Sequence, residues 1–340
     1  MKLAYDPASP RGAHVLLFFR PHEVDRFAPG DRYLKRLVRP IYERLHHRQK
    51  ISGVGMSFRL LALGLERAGF TVHRNHHALA RANPGYPVGL VGTLDILSGW
   101  RLPNPALIGP SLYDQPGQAP RLFDDPRFGA YVCLGDWMAA MFDEVYRGRC
   151  VRWFAGIDAD AWPDRSDEPK DLDFLVYEKV LWDKERQSAA LVQPILAELG
   201  RRGLAFETIR YGDYDHEVYR ALLGRARALL FICDHETQGI AYQEAMASGL
   251  PVLAWNPGFW ADPQWKLHYA SPPPASSVPF FSDECGETFA DLDELPAALD
   301  RFQARLDTYR PRQFVLDNLS LERSGAVYAD AYFRLAESGR

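Results

Sequence analysis

The sequence predicts an α/β protein of two domains, each built on a mostly parallel sheet with helices on both faces. Its 340 residues exceed the length at which a single core usually stops growing, roughly 250–300 residues. Short apolar runs alternate with longer segments in which apolar residues recur at helical spacing, a pattern typical of parallel sheets joined by helices. The composition, with 47% hydrophobic and 25% charged residues, is that of an ordinary globular protein.

The first half of the chain contains strand-like runs separated by helical segments. The clearest helix is predicted over 57–68, where Phe58, Leu61 and Leu65 recur at helical spacing and Gly69 follows as a stop signal. A second helix is predicted near 136–146. Strands are predicted at 14–19, 71–75, 88–91, 106–108, 131–134 and 151–154.

A strongly basic stretch, residues 32–50, follows the first strand. It carries seven Lys and Arg residues against one acid, Glu43, together with an apolar stripe, so an amphipathic helix bent or restarted at Pro40 is predicted. Such a face can dock on anionic lipid or receive an anionic acceptor. It can also be a surface helix whose apolar side packs on the domain, and we favour this second interpretation.

The second half repeats the alternation after a polar, proline-containing linker at 164–170. A strand is predicted at 173–177, and a hinge between the domains belongs just before it. Helices are predicted at 187–199, 216–224, 295–309 and 321–335, and strands at 205–210 and 229–233.

The stretch 231–255 combines a buried strand, a turn, a helix and a second buried strand. Glu236 precedes the helix and Glu244 lies inside it. Gly239 permits close backbone approach, and the free N–H groups at the helix start, near Gly239 and Ile240, attract anions such as a diphosphate. Two glutamates at this spacing are commonly solvated helix carboxylates. Their setting here makes the stretch a candidate seat for an anionic, hydroxyl-rich ligand.

The spacing of Glu236 and Glu244 resembles the E-x7-E motif of retaining, nucleotide-sugar-dependent glycosyltransferases of the GT-B fold, above all glycosyltransferase family 4. The string EAMASGLPV, which begins at Glu244, is similar to the EAMA-x-G-x-P-V continuation of that family. Residues 155–163 also resemble the family segment N-G-I-D-x-x-x-F-x-P, with Ala155 and Trp162 as departures. The resemblance covers most of 53–335 and is strongest in the C-terminal half.

Two further matches lie at predicted strand ends. Lys179 and Lys184 resemble the R-x4-K pair of the family, with Lys179 in place of the arginine, at a strand end where open parallel sheets bind ligands. An isolated Lys-x4-Lys is usually surface charge. Gly258 lies in the place of the family's C-terminal glycine loop, where Pro257 replaces one glycine and the backbone can still cradle phosphate.

Gly53 and Gly55 match a second glycine-rich loop of the family only in position and character. In the family that loop meets the donor phosphates or the acceptor, but a structural turn is an open alternative here. A dinucleotide-binding fingerprint is disfavoured because Phe58 occupies the third glycine position and no clear strand precedes. The region 108–114 also lacks the histidine with which many family members contact the donor sugar.

The resemblance implies two Rossmann-like domains that face each other across a cleft. The expected boundaries are an acceptor-side domain at 1–155, a nucleotide-sugar-binding domain at 156–315, and a final helix at 316–340 that crosses back to the first domain. The implied activity is a hexosyltransferase-like, metal-independent transfer of sugar from a nucleotide-diphosphate donor to an acceptor hydroxyl, with retained anomeric configuration.

The resemblance also implies the role of each site residue. Lys179, Lys184 and the amides near Gly239 are expected to stabilise the leaving diphosphate, Glu236 to orient the donor sugar, and Glu244 to hold the ribose. A glycan or lipid-linked acceptor in cell-surface polysaccharide or glycolipid assembly is typical of the family. A catalytically silent GT-B protein that binds nucleotide-sugar or acts as a scaffold is the main alternative, and a sugar-nucleotide epimerase is a weaker one.

The remaining composition narrows the class of protein. A net charge of −4 disfavours a general nucleic-acid binder. No apolar run approaches the roughly 18 residues that cross a bilayer, and the polar first residues do not resemble a signal peptide. Four scattered cysteines predict reduced thiols rather than a disulfide frame or a zinc site. We therefore expect a cytoplasmic protein, with peripheral contact at the inner membrane face through 32–50 as an option, and neither cofactor nor metal.

Overall fold

The computed structural model of the protein describes residues 1–5, 12–20 and 53–338. The basic stretch 32–50 lies outside these residues, so its predicted helix and membrane or acceptor contact stay predictions. The chain forms two compact units. Unit 1 comprises Met1–Cys133, Tyr146–Val151 and Gly325–Arg340, and unit 2 comprises Leu134–Val145 and Arg152–Ser324.

The described strands form two sheets, and this confirms the predicted α/β class with two parallel-sheet domains. The first sheet has the order β2-β1-β3-β4-β5-β6 and the second the order β11-β10-β9-β7-β8. The strands are β1 His14–Arg20, β2 Thr71–Arg74, β3 Val88–Gly92, β4 Ala106–Ile108, β5 Phe128–Leu134, β6 Cys150–Trp153, β7 Leu172–Lys179, β8 Phe206–Arg210, β9 Ala226–Cys233, β10 Val252–Trp255 and β11 Gly286–Phe289.

Helices separate most of the strands and cover the sheets. They are α1 Gly53–Arg67, α2 His77–Ala82, α3 Asp95–Ser98, α4 Asp136–Tyr146, α5 Lys184–Gln187, α6 Gln193–Arg201, α7 His216–Arg225, α8 Ile240–Ala247, α9 Leu295–Ala304, α10 Pro311–Asn318 and α11 Leu321–Ser338. Of the helices that the structure describes, none has the length and hydropathy that a membrane span requires.

Three helix predictions need correction. Helix α1 begins at Gly53, before the predicted start at Ser57, so Gly53 and Gly55 lie in its first turn and not in a loop. The single helix predicted over 187–199 is divided by a π-helical turn, Ser188–Val192, because Pro194 lacks the N–H that would continue the α-helical pattern. The helix predicted to reach Tyr309 ends at Ala304, and Pro311 begins a separate helix.

Unit 1 is organised around buried strand β1. Val15, Leu16, Leu17 and Phe18 are fully buried, as expected of a parallel strand covered on both faces. From Gly325 onward the last helix belongs to this unit. The Tyr332 hydroxyl on that helix accepts a hydrogen bond from the Leu16 N–H, at 3.0 Å, and donates one to a backbone carbonyl before β3.

Unit 2 is organised around β9, which lies between β10 and β7 in a sheet whose strand pairings all run parallel. Residues 228–233 of β9 are buried along their whole length. The register places Lys179, the last residue of β7, opposite Cys233, the last residue of β9. The loops that follow these two strands therefore leave the sheet side by side, at its carboxyl edge.

The close packing of β10 against β11 depends on a glycine. A Cβ atom on Gly286 would lie 1.9 Å from the Val252 carbonyl oxygen, and its φ of +150° is one that other residues rarely adopt. We expect Gly286→Ala to lower the free energy of unfolding by roughly 2–4 kcal/mol. Gly200→Ala is the matched control, because a Cβ there meets nothing within 4 Å. Urea unfolding followed by circular dichroism measures both; equal stability of the two variants would contradict the prediction.

Candidate active site

The candidate site of unit 2 starts where β9 ends. Three successive residues, Asp234, His235 and Glu236, each contact a different part of the surrounding chain. Asp234 binds the loop after β7, His235 binds the segment after β10, and Glu236 pairs with the last residue of β7. The arrangement follows from the strand order β10-β9-β7 and gathers three polar groups at one edge of the sheet.

Lys179 and Glu236 form an ion pair between Nζ and Oε1. The side chains are only 16% and 11% exposed, respectively, so the pair is largely shielded from water. The structure thus brings together two predicted site residues that are far apart in sequence. A lysine ammonium has three N–H donors, so this pairing leaves donors for a ligand.

The surroundings of Lys179 keep its ammonium charged. Burial, the largest single cause, lowers the pKa of Lys179, but the neighbouring groups together, with the Glu236 carboxylate first among them, raise the pKa above its ordinary value. The ammonium also lies over the ring of Tyr211, 4.6 Å from the ring centroid. Tyr211 directly follows β8 and is half exposed. The site therefore offers a fixed positive charge beside an accessible aromatic ring.

Lys184, the second lysine of the predicted pair, is exposed at the start of α5. Among the residues that the structure describes, no acid forms an ion pair with it. The loop that separates it from Lys179 ends at Asp183, whose φ of +49° turns the chain into α5. Asp234 holds this loop: its Oδ2 accepts hydrogen bonds from the Leu181 N–H at 2.7 Å and the Trp182 N–H at 3.3 Å.

His235 is a polar residue that the sequence analysis missed. Its Nδ1 accepts a hydrogen bond from the Ala261 N–H at 3.3 Å, which leaves the ring proton on Nε2. Burial, followed by the charge of Lys179, lowers the pKa of His235 to about 4, so the imidazole is neutral near pH 7. The rings of Trp137 and Trp260 pack edge-on against it.

The loop from Glu236 to the start of α8 is held in one conformation by buried amides. Gln238 exchanges hydrogen bonds with the backbone of Ala155, at 2.8 and 3.2 Å. Its side chain also donates to Gln243, which returns a hydrogen bond to the Gln238 carbonyl oxygen. Trp137 adds a bond from its indole N–H to the Glu236 carbonyl oxygen at 2.9 Å. The backbone around Glu236 is thus fixed before any ligand binds.

Gly239 is the N-cap of α8 and Ile240 its first helical residue. Gly239 has φ +78°, and a Cβ atom there would lie 2.0 Å from the ring of Tyr242. Only glycine therefore fits at this position without displacement of the ring. The first N–H groups of an α-helix have no partner within the helix, so this turn can present amides to an anion.

Glu244 lies one helical turn further along α8 and is 6% exposed. Burial raises the pKa of Glu244 to about 8, and the nearby Arg220 opposes this shift. The phenols of Tyr214 and Tyr219 lie close enough for its charge to raise their pKa values. No described side chain donates a hydrogen bond to the carboxyl group. A largely buried carboxyl group without a hydrogen-bond donor is costly, so its presence calls for an explanation, of which a bound ligand is one.

The predicted glycines fall in separate places. Gly258 follows β10, has φ +84° and would tolerate a Cβ atom sterically, so only its backbone conformation favours glycine. Gly53 and Gly55 belong to unit 1, where they begin α1.

In the described part of the chain no group of three His, Cys, Asp or Glu side chains is arranged to hold a metal ion. None of the four cysteines forms a disulfide, and three of them are buried.

Comparisons with solved structures identify the fold. AviGT4, a glycosyltransferase involved in avilamycin A biosynthesis, is 14% identical with a TM-score of 0.56, over 95% of this chain and 98% of its own. Sucrose-phosphate synthase from Thermosynechococcus elongatus is 13% identical with a TM-score of 0.53, over 96% and 100%. The lipopolysaccharide outer core galactosyltransferase WaaB is 10% identical with a TM-score of 0.51, over 94% and 99%.

Sequence comparisons add no relatives, because no protein-family model and no curated protein sequence matches this chain. The structural likenesses, all below 25% identity, concern the fold and not the reaction. They extend over nearly the full length of this chain and of the three enzymes. The chain has the GT-B fold of these glycosyltransferases.

Proposed function

We propose that this protein transfers a sugar from a nucleoside-diphosphate donor to an acceptor hydroxyl group. The observation that carries the proposal is the shielded Lys179–Glu236 pair at the carboxyl edge of the second sheet, beside the start of α8. A cation, a hydroxyl-binding carboxylate and free helix amides are the groups that such a donor requires. The GT-B fold supports the same class of reaction.

Lys179 and Lys184 act on the leaving group in this proposal. As the glycosidic bond breaks, negative charge develops on the diphosphate, and fixed positive charge stabilises that charge in the transition state. Lys179 is held by Glu236, and Lys184 approaches from the exposed end of the same loop. Amides of Gly239 and Ile240 at the start of α8 add partial positive charge. We propose that these groups replace a divalent cation, so that transfer does not depend on metal.

The two glutamates divide the donor between them. Glu236 accepts hydrogen bonds from hydroxyl groups of the donor sugar near the reacting carbon. Glu244 accepts those of the ribose, which would supply the partner that its buried carboxyl group lacks. We propose retention of the anomeric configuration, a hexose donor, and a glycan or lipid-linked acceptor in cell-surface assembly, in the cytoplasm or at the inner membrane face. These finer assignments rest on the sequence resemblance.

Metal-free titration calorimetry tests the proposal. UDP, GDP, dTDP and CMP are titrated into the protein in the presence of EDTA, and binding of one diphosphate is expected. Lys184→Ala is expected to weaken that binding about five- to tenfold, because one exposed charged contact contributes on the order of 1 kcal/mol. Arg201→Ala is the control. It removes an exposed cation at the C-terminal end of α6 and is expected to leave the affinity for the nucleotide unchanged.

The outcomes separate the alternatives. Binding by none of the four nucleotides, in a folded protein, would contradict the proposal and favour a silent scaffold. Binding that requires added Mg²⁺ or Mn²⁺ would overturn the metal-free mechanism while leaving the donor class intact. Equal affinity in Lys184→Ala would remove Lys184 from the site and leave the cationic role to Lys179 alone.

A further inference from the structure

We propose that Asp234 is a positioning residue, which places Lys184 for its contact with the donor diphosphate by fixing the loop between the two lysines. The inference deepens the proposed function and rests on it, since it concerns the path by which one lysine reaches the leaving group. Neither the family motif nor the fold comparisons assign a role to this position.

The geometry of the loop carries the inference. β7 ends at Lys179, and only four residues separate it from Lys184. Within these four, the N–H groups of Leu181 and Trp182 both donate to the same carboxylate oxygen of Asp234, at 2.7 and 3.3 Å. The next residue, Asp183, has the left-handed φ of +49° that directs the chain into α5. Two hydrogen-bonded residues and one sharp turn therefore fix the backbone position from which the Lys184 side chain extends.

The cost of this arrangement indicates that it is more than a surface contact. Asp234 is 3% exposed, and the hydrogen bonds donated by the backbone N–H groups of Leu181 and Trp182 are the only ones it receives among the described residues. A buried carboxylate is expensive unless hydrogen bonds compensate it. By contrast, Lys184 is exposed and has no ion-pair partner among the described residues. The conformation of the loop, and not a neighbouring acid, therefore determines the position of its backbone and the region that its ammonium group can reach.

Asp234 also connects the loop to the rest of the site. It directly follows β9. The next two residues are His235, which binds the segment after β10, and Glu236, which pairs with Lys179. The same short stretch thus sets the position of both lysines, of Lys179 through the ion pair and of Lys184 through the loop amides. If Asp234 acts only through Lys184, the effects of removing the two residues must not add.

A double-mutant cycle tests the inference. Wild type, Asp234→Ala, Lys184→Ala and the double variant are compared in kcat/KM for donor turnover. We expect Asp234→Ala to lose about ten- to 100-fold, Lys184→Ala to lose at least as much in turnover, and the double variant to lose no more than Lys184→Ala. Asp234→Asn, whose Oδ1 can accept both amide protons, is expected to stay within about fivefold of wild type.

Controls keep a structural role apart from a positioning role. Glu185→Ala removes an exposed acid beside Lys184 and is expected to change nothing. Multiplicative losses in the double variant, an Asp234→Asn variant as weak as Asp234→Ala, or wild-type turnover in Asp234→Ala would each overturn the inference. Amide hydrogen exchange at Leu181 and Trp182 should accelerate in Asp234→Ala. If wild type binds no nucleotide, the proposed function fails. If amide exchange at Leu181 and Trp182 is the same in Asp234→Ala as in wild type, Asp234 does not anchor the loop and the inference fails.

Discussion

If the protein transfers sugar as proposed, we expect Lys179→Met to lower kcat/KM by about 10²- to 10³-fold, the loss typical of removing one group that stabilises transition-state charge. The same change also destabilises the protein, because it leaves the Glu236 carboxylate shielded from water and without its cation. Removal of one member of a buried pair costs about 3–5 kcal/mol. The residual exposure of this pair reduces the expected loss to on the order of 2–4 kcal/mol.

The double variant Lys179→Met/Glu236→Gln separates the two effects. With both charges gone, no unpaired ion remains, and most of the lost stability should return. Activity should not return, because the positive charge that we propose acts on the diphosphate is still missing. Urea unfolding and steady-state kinetics on wild type and the two variants measure stability and activity. Full activity in the stable double variant would show that the pair is a structural feature and would contradict its catalytic role.

Glu244→Gln is expected to make the stability of the folded protein less dependent on pH. The pKa of Glu244 is about 8 in the folded protein against an ordinary value of 4.5, so between these values the folded state holds a proton that the unfolded state has released. Stability therefore falls as pH rises through this window. Complete deprotonation corresponds to about 3–5 kcal/mol, since each pKa unit is worth about 1.4 kcal/mol.

Unfolding measured at pH 5 and at pH 9 checks this result. The variant should be nearly as stable as wild type at pH 5 and markedly more stable at pH 9, because glutamine has no proton to lose. Glu185→Gln, at an exposed position, should follow wild type at both pH values. A constant difference between Glu244→Gln and wild type across the range would show that the Glu244 carboxyl group is not the titrating group.

The fold was predictable because its signals are local or periodic. Strand β9 and helix α8 appear in the sequence as an apolar run, a glycine and an uninterrupted helical segment. Strand β11 was missed because Gly286–Phe289 is short and contains two polar residues. The start of α1 was misplaced because glycine is a weak helix former, so Gly53 and Gly55 did not indicate a helix. In the structure the helix includes them, and Ser57, Leu60 and Leu61 of the same helix are buried in unit 1.

The candidate site was predictable only in part. The motif identified Glu236, Glu244, Lys179 and Lys184 as candidates, but no sequence pattern indicates that Glu236 pairs with Lys179. That contact depends on the register of β7 against β9, which sequence periodicity does not determine. Asp234 and His235 were missed for the same reason, since their partners lie in loops after other strands. Three consecutive polar residues directly after a buried strand were the available signal.

The most direct test of the central claim is the transfer reaction itself. Wild type and Lys179→Met/Glu236→Gln are incubated in EDTA with UDP-, GDP- and dTDP-hexoses and a panel of alkyl glycosides, and products are identified by mass spectrometry and NMR. We expect wild type to form a glycoside with retained anomeric configuration from one donor, and the double variant to form none above background. Donor epimerised without acceptor, or no product from a nucleotide-binding wild-type protein, would contradict the claim that this protein is a metal-independent glycosyltransferase.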